Sequence, residues 1–418
     1  MKWKWRKPNW KEMKRWKKVT LVILALFILF QIPFIYRRTR LGSLYRSIQQ
    51  VNASRVVDEA ASAYNDYKGV IHVHSSLGGH SYGNFTDIIQ AAQRNNLSFV
   101  VMTEHPSTTF DTSEMTLKGV HAGVLFVNGN EVNTASHDRF LVMPGSADAA
   151  TANTTGSQQM LTAQKAQGHL SFIAYPQEFQ SWDVTDYDGM EVYNLYTNSK
   201  KIGYFVTFFD WLWSYWSYAD LMFARFYERP SEALKKWDEL IASKNRKVVA
   251  IAGNDAHANV GFRIGDLTGK ELIGVHLDPY ERSFRIVRNH VLIEKEKPLT
   301  TETLLAALSS GHCYIAFDLF GDSTGFTFTA ETSQGKKIMG DEIEFEDGMR
   351  LTVTTPVAAR VLLIKDGQVI KDEDGTSRKE YAITERGVYR VEVYLTQLGS
   401  LVKDKPWIIS NPIYVSEK

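Results

Sequence analysis

Four short segments of the chain carry histidine with carboxylate close by or in matching positions. "HVHS" holds His72 and His74, with His80 eight residues after the first. "VVMTEHP" holds Glu104 and His105. "FVNGNEVN" holds Glu131, with His137 soon after. "AIAGNDAH" holds Asp255 and His257. Imidazole plus carboxylate, without thiolate, is the ligand chemistry of Mn, Fe or Zn. A lone H-x-H also fits one solvent-facing histidine and one core histidine bonded to backbone. Four clusters built from the same residue types point instead to a multinuclear site holding two or three divalent ions per chain. In an extended segment, alternation places His72 and His74 on the same side, so both imidazoles can grip one ion. Cys313 is the only cysteine, which excludes an internal disulfide, a cysteine-based zinc knuckle and an iron–sulfur cluster.

Each cluster follows a short apolar run. From about residue 69 to 318 such runs alternate with loops and stretches of helical spacing, among them "VIHV" from Val70, "LSFVVM" from Leu97, "VLFV" from Val124, "FLVM" from Phe140, "LSFIA" from Leu170, "MEVY" from Met190 and "VVAIA" from Val248. This alternation predicts an α/β fold: a parallel sheet covered by helices, open or closed into a barrel. The polar clusters then fall at C-terminal strand ends, where α/β folds assemble active sites. From about residue 319 to 418 the texture changes to short alternating runs separated by Asp-Gly and Arg-Gly turns, the pattern of a β-sandwich domain.

The N-terminal region differs from both. Val19 to Tyr36 is 18 residues without a charge, just long enough to span a bilayer, between a basic tail (1–18) and a connector (37–68). Nine Lys and Arg precede it, and Arg37, Arg38 and Arg40 follow it. This bias predicts a transmembrane signal anchor of a bacterial cytoplasmic membrane, with the N-terminus cytoplasmic and the main chain outside. A cleaved signal peptide is the rival, disfavoured because Arg37-Arg38-Thr39-Arg40 stands where small residues should be. The formal charge of +1 hides an asymmetry: residues 1–46 hold 13 basic residues and one acid, leaving 35 basic against 46 acidic elsewhere. That acidic remainder argues against nucleic acid as a partner.

In order and type, "HVHS", "TEH", "GNE…H" and "GNDAH" resemble the PHP (polymerase and histidinol phosphatase) metallohydrolases, over about 250 residues. "GMEVYN" from Gly189 and the closing "SNPIYV" look like the branch that includes carbamate-ester hydrolases and anchored members. The resemblance implies a distorted (β/α)7 TIM-like barrel with up to three metals. It implies one ion held by His72, His74, Glu131 and Asp255, a second bridged by Glu131 and held by His137, and a third on His105 and His257. The chain departs from the family's pattern twice. Gly78-Gly79-His80 stands where the family has an Asp, so His80 is the candidate replacement ligand. Tyr175-Pro176 stands where the family tends to have His-Pro, and a phenol of ordinary pKa near 10 is a weaker ligand than imidazole.

The expected activity is metal-assisted hydrolysis of a small-molecule, lipid or envelope phosphoester. A carboxylic or carbamic ester or amide hydrolase on the same site is the second enzyme reading, and a non-catalytic envelope-binding protein the third. Glu104 is expected to orient a ligand or shuttle a proton, or simply to bond a neighbouring loop. Arg263, in "NVGFRIG", is expected to hold an anionic group or a structural ion pair. His169 is expected to be packed or hydrogen-bonded, and His121, His276, His290 and His312 match no metal motif. The stretch Tyr204 to Tyr218 has nine aromatics in fifteen residues. It is expected to pack between helices and roof the cleft, or to dip into a membrane interface.

Overall fold

A computed structural model describes residues 10–11, 13–57, 62–79, 81–199, 204–243, 246–259, 261–265, 271–276, 278–333 and 335–417. The fold is mixed α/β, with a large sheet and one long N-terminal helix. Tyr64–Val73 pairs in parallel with Phe99–Met102 on one side and Val249–Ala256 on the other. Phe99–Met102 continues in parallel to Val124–Val127. Val249–Ala256 continues in parallel to Gly189–Asn194, and that strand to Leu170–Ala174. Period-two alternation sorts the side chains into two layers. Phe99, Val101, Leu125 and Val127 pack with Ile71 and Ile251, while Val100, Met102, Val124 and Phe126 pack with Ile88 and Ala91 of the helix Phe85–Arg94.

The sheet is not parallel throughout. Asn130–Asn133 pairs antiparallel with Arg139–Met143, which pairs antiparallel with Leu170–Ala174. Only residues 134–138 separate the first two strands, which permits a hairpin, whereas a parallel crossover needs a dozen residues or more.

Toward the C-terminus the expected boundary at residue 318 falls at a one-turn helix, Asp318–Phe320. Hydrogen bonding nevertheless crosses it. Tyr64–Val73 pairs antiparallel with Arg288–Glu294, which pairs with Cys313–Ala316, which pairs with Ile408–Ser410. The later strands are antiparallel except for Glu342–Glu344 beside Ile413–Ser416. A buried charge cluster joins this region to the helix Ser231–Ser243: the Arg390 guanidinium donates to both oxygens of Asp238 at 2.6 and 2.7 Å and to Glu392 at 2.8 Å.

The N-terminal helix runs unbroken from Arg15 to Ala53 and is long and apolar enough to cross a membrane. The segment expected as a connector therefore begins as a continuation of that helix. Leu41, Leu44, Ile48 and Val51 recur at intervals of three and four, and all four are buried in the core they share with Leu395, Leu398 and Trp407. The apolar half is thus joined to the body by a packed helix.

Candidate metal centre

His72 ends the regular part of the first strand, and the pairing register shifts there between Ile71 and Val73. Val70 and Val73, three residues apart, would face opposite sides of a regular strand, yet both pack in the same apolar layer. His72 absorbs the extra residue with φ at 69°. Tyr175 and Asp255, also at strand ends, have φ of 49° and 48°. Non-glycine residues in this region cost on the order of 1–3 kcal/mol each and persist where surrounding packing over-determines them. Simple alternation does not explain how His72 and His74 come together; a bulge re-aims them.

Four side chains converge there. Glu131 Oε2 lies 3.3 Å from both His72 Nε2 and His74 Nε2, and Asp255 Oδ1 lies 3.6 Å from the same two nitrogens. All four residues are buried. These separations exceed ordinary N–H···O hydrogen bonds of about 2.7–3.2 Å. Bonds of about 2.0–2.2 Å in tetrahedral array place neighbouring ligand atoms roughly 3.3–3.6 Å apart. Both ring nitrogens of His74 and the Oδ1 of Asp255 have no hydrogen-bond partner among the described residues. Buried polar atoms are rarely left so. The donor set fits a metal ion: His72, His74, Glu131 and Asp255 could hold one.

A second group shares His74 and adds His105 and His257. The His74 ring is stacked with each of the other two, with centroids 4.7 Å from His105 and 4.4 Å from His257. His257 Nδ1 lies 2.9 Å from the Asp255 carbonyl oxygen, which accepts its proton and leaves Nε2 for another partner. His105 Nε2 is 3.6 Å from Glu131 Oε2.

The ligands are held from behind. Glu191 is fully buried, and its Oε1 lies 2.6 Å from His72 Nδ1, which turns His72 Nε2 toward the centre. Asn194 donates to Glu191 Oε2 at 3.1 Å and to Asp255 Oδ2 at 3.3 Å. The Tyr175 hydroxyl donates to the same Asp255 Oδ2 at 2.6 Å. Room for Glu191 exists because residue 253 is glycine: a Cβ there would lie 1.5 Å from Glu191 Oε1.

Electrostatics follow from this packing. Burial alone would lower the His72 pKa, but the carboxylates of Glu191 and Asp255 more than reverse that and hold it well above the ordinary imidazole range. Burial dominates at His74 and lowers its pKa. Burial would raise the pKa of Glu131, and the adjacent imidazoles of His72 and His74 bring it well below the usual carboxylate range. At Asp255 burial is likewise outweighed by His72, and its pKa is lowered. Burial, then the charges of Asp255 and Glu131, push the Tyr175 phenol far up. Tyr175 stands here as a neutral donor that fixes Asp255 Oδ2.

The other expected site residues lie elsewhere. His137 is exposed in the hairpin turn and belongs to neither group. His80 and the side chain of Arg263 lie outside the described residues. Glu104 is fully buried and accepts from the Ser75 amide at 3.1 Å, the Ser75 hydroxyl at 2.5 Å and the Thr116 hydroxyl at 3.0 Å. It ties down the loop that follows His74. His169 bonds Gln164 at 2.8 Å, and His121 bonds the Lys118 carbonyl at 2.9 Å.

Three contributors escaped the sequence reading. Glu191 left one trace, as the only ionisable group besides Tyr193 in "GMEVYN". Gly253 and Arg139 left none beyond their positions beside a cluster. Arg139 Nη1 is 3.7 Å from Glu131 Oε1, and its guanidinium lies 5.0 Å over the Tyr175 ring. It lines a 250 Å³ cavity with His105, Glu131, Tyr175, Tyr196, Asp255 and His257.

No family model matches the chain, and no curated protein matches it. Among solved structures, the chain is similar to the one titled "Crystal Structure of PsfC from Pseudomonas syringae PB-5123", at 13% identity and a TM-score of 0.34, over 60% of this chain and 92% of that one.

Proposed function

We propose that the protein is a metal-dependent hydrolase of the PHP type, acting on phosphate mono- or diesters and anchored in a bacterial cytoplasmic membrane by its N-terminal helix. The observation that carries this reading is the pair of ligand groups sharing His74; in the first, buried His72, His74, Glu131 and Asp255 stand at tetrahedral-edge spacing, with His74 Nε2 and Asp255 Oδ1 unpartnered among the described residues. Two such groups side by side favour two or three Mn, Fe or Zn ions. The parallel pairings from Val124–Val127 through Gly189–Asn194 support a distorted (β/α)7 barrel as the architecture.

Divalent ions in such a site supply Lewis acidity and neutralise charge on a scissile phosphoester. The chain's own residues do the positioning. Glu191 accepts the proton of His72 Nδ1 and sets that ring's orientation. Tyr175 and Asn194 occupy Asp255 Oδ2, so Oδ1 alone faces the histidines. Arg139, with its side chain 41% exposed at the cavity, is placed to pair with an anionic substrate group, a part the sequence suggested for Arg263. The surplus of basic residues before Val19 favours an N-terminus in the cytoplasm and a site outside.

The test is elemental analysis of full-length protein purified in detergent without chelator, followed by assay against nitrophenyl phosphate, bis-nitrophenyl phosphate and nitrophenyl acetate. Two or three ions per chain and preferential phosphoester turnover are expected. Preferential turnover of the acetate would favour the carboxylic-ester reading. Metal without turnover of any ester would favour a binding protein, and failure to take up metal on reconstitution would overturn the proposal.

A further inference from the structure

A water-facing helix normally buries its apolar residues and exposes its polar ones. The helix Tyr204–Tyr218 is built the other way round. Asp210 and Ser214, one turn apart, are 2% and 1% exposed, while Phe208, Leu212 and Trp216, also at one-turn intervals, are 55%, 48% and 85% exposed. Its buried charge is matched: Asp210 pairs with Arg225 and, at 3.5 Å, with Arg37. Scattered surface aromatics need no explanation, but a continuous apolar stripe over buried polar groups does.

The position of this helix says what covers the stripe. Phe209 packs edge-on to Phe30 at 4.9 Å and against Phe34 at 5.2 Å. Trp213 Nε1 donates to Gln31 Oε1 at 2.9 Å, giving a partner to the one amide in the apolar run. Arg38 donates to the Ser217 hydroxyl at 3.1 Å and to the Trp213 carbonyl. The aromatic helix therefore meets the N-terminal helix from Phe30 to Tyr45, about 22 Å of its axis, a stretch that has Arg37 and Arg38 at its middle. That is where the uncharged run ends and Arg37, Arg38 and Arg40 begin. Below this level Phe27, Ile28 and Leu29 are each more than half exposed, and the aromatic stripe continues that apolar surface. Tryptophan, tyrosine and arginine at the end of an apolar span form the residue belt of a membrane–water interface.

We infer that Phe208, Leu212, Trp213 and Trp216 form a second membrane contact, seated in the interface of a phospholipid bilayer. The inference rests on the reading that the Arg15–Ala53 helix spans that bilayer. The body is then held at the membrane surface by two packed helices. Tyr196, which lines the metal-centre cavity, lies in the short helix Leu195–Ser199 that precedes the aromatic helix in sequence. A cavity wall and the lipid contact are thus consecutive parts of the chain.

Nitroxide labels on the full chain in vesicles of phosphatidylcholine and phosphatidylglycerol test this. The lone native cysteine, Cys313, is buried. Single labels are placed by W216C, by L212C, by I28C in the N-terminal helix, and by V369C, which lies in the strand Gln368–Ala382 and is 55% exposed. Accessibility to lipid-soluble oxygen and to a water-soluble nickel chelate is then compared. Labels at 212 and 216 should behave like the one at 28, with loss of nickel accessibility and gain of oxygen accessibility relative to 369. Nickel accessibility at 216 equal to that at 369, with 28 still lipid-exposed, would overturn the inference and leave the span standing. Nickel accessibility at 28 as well would remove the span and the inference together. Shielding of 216 from both reagents would assign the stripe to a protein partner or a second copy, and so overturn it.

Discussion

His74 and His290 are both fully buried beside two carboxylates, and they are used in opposite ways. His290 Nδ1 lies 2.8 Å from Asp66 and its Nε2 lies 3.1 Å from Asp318 and 3.2 Å from the Ser323 hydroxyl. Its ring stacks on Tyr314 at 4.6 Å, and the Tyr314 hydroxyl donates to Asp66 at 2.7 Å. Arg288 adds a second cation, 3.3 Å from Asp318. Both ring nitrogens are satisfied. His74 also has two carboxylates beside it, Glu131 and Asp255, but they stand at 3.3 and 3.6 Å, its other close neighbours are histidines, and neither nitrogen has a hydrogen-bond partner among the described residues. Both places hold a buried histidine between two carboxylates; spacing separates a closed structural knot from a group that could hold an ion.

The largest expected effect breaks this comparison on the ligand side. H72A and D255A should lose metal and hydrolytic activity together, as read by elemental analysis and ester turnover, with the protein still folded by circular dichroism. H290A should do the reverse. Removing one partner from a buried charge cluster costs about 3–5 kcal/mol, so urea unfolding should shift strongly while metal per folded chain stays unchanged. Loss of metal in H290A with little change in unfolding would reverse the assignment.

The next effect is pH-dependent. Burial lowers the His290 pKa, but Asp66 and Asp318 raise it further, to about 9. An unfolded histidine titrates near 6.5, so the folded state binds the proton more tightly. The stability this confers is fully present below about pH 6.5 and is lost as pH rises through about 9, up to roughly 3 kcal/mol. Urea midpoints measured across that window should fall in the native protein, and the fall should be shallower in H290A. Equal slopes would show that His290 is not the titrating group.

The smallest effect sharpens the comparison from behind the ligands. E191Q keeps the shape of the side chain that orients His72 but removes its charge, and changes to such supporting partners lower metal affinity by about 10–100-fold. G253A should act in the same direction by displacing Glu191. Chelator competition reads both. Native affinity in both variants would mean that His72 is oriented without Glu191.

Much of the candidate centre was legible in the sequence because each ligand follows an apolar run that reads as a strand. His72, His74, Glu131, Asp255, His105 and His257 all have that placement, and His290 was set aside for matching no metal motif. Glu191 was harder to see because it lies within the strand Gly189–Asn194, where its neighbours make it look like part of an apolar face. Tyr175 looked like a weak ligand because sequence shows only its place in line, not that its hydroxyl reaches Asp255 Oδ2. The antiparallel strands from Asn130 to Ala174 were missed because an apolar run does not state its direction. The long helix was read in two pieces because its apolar half and its packed half have different textures, though one hydrogen-bonded ladder joins them.

The sequence by itself determined which side chains can bind a metal, where the apolar runs lie, and that residues 19–36 carry no charge. These are properties of residue type and local spacing, and they survive without knowledge of any long-range pairing. Tertiary structure alone decided which histidines converge into a group that could hold an ion and which close on their own carboxylates. A difference between 2.8 and 3.3 Å is set by strand register, by the bulge at His72 and by the space that Gly253 leaves for Glu191. Those contacts join residues 72, 131, 191 and 255, which are far apart along the chain and meet only when the sheet assembles.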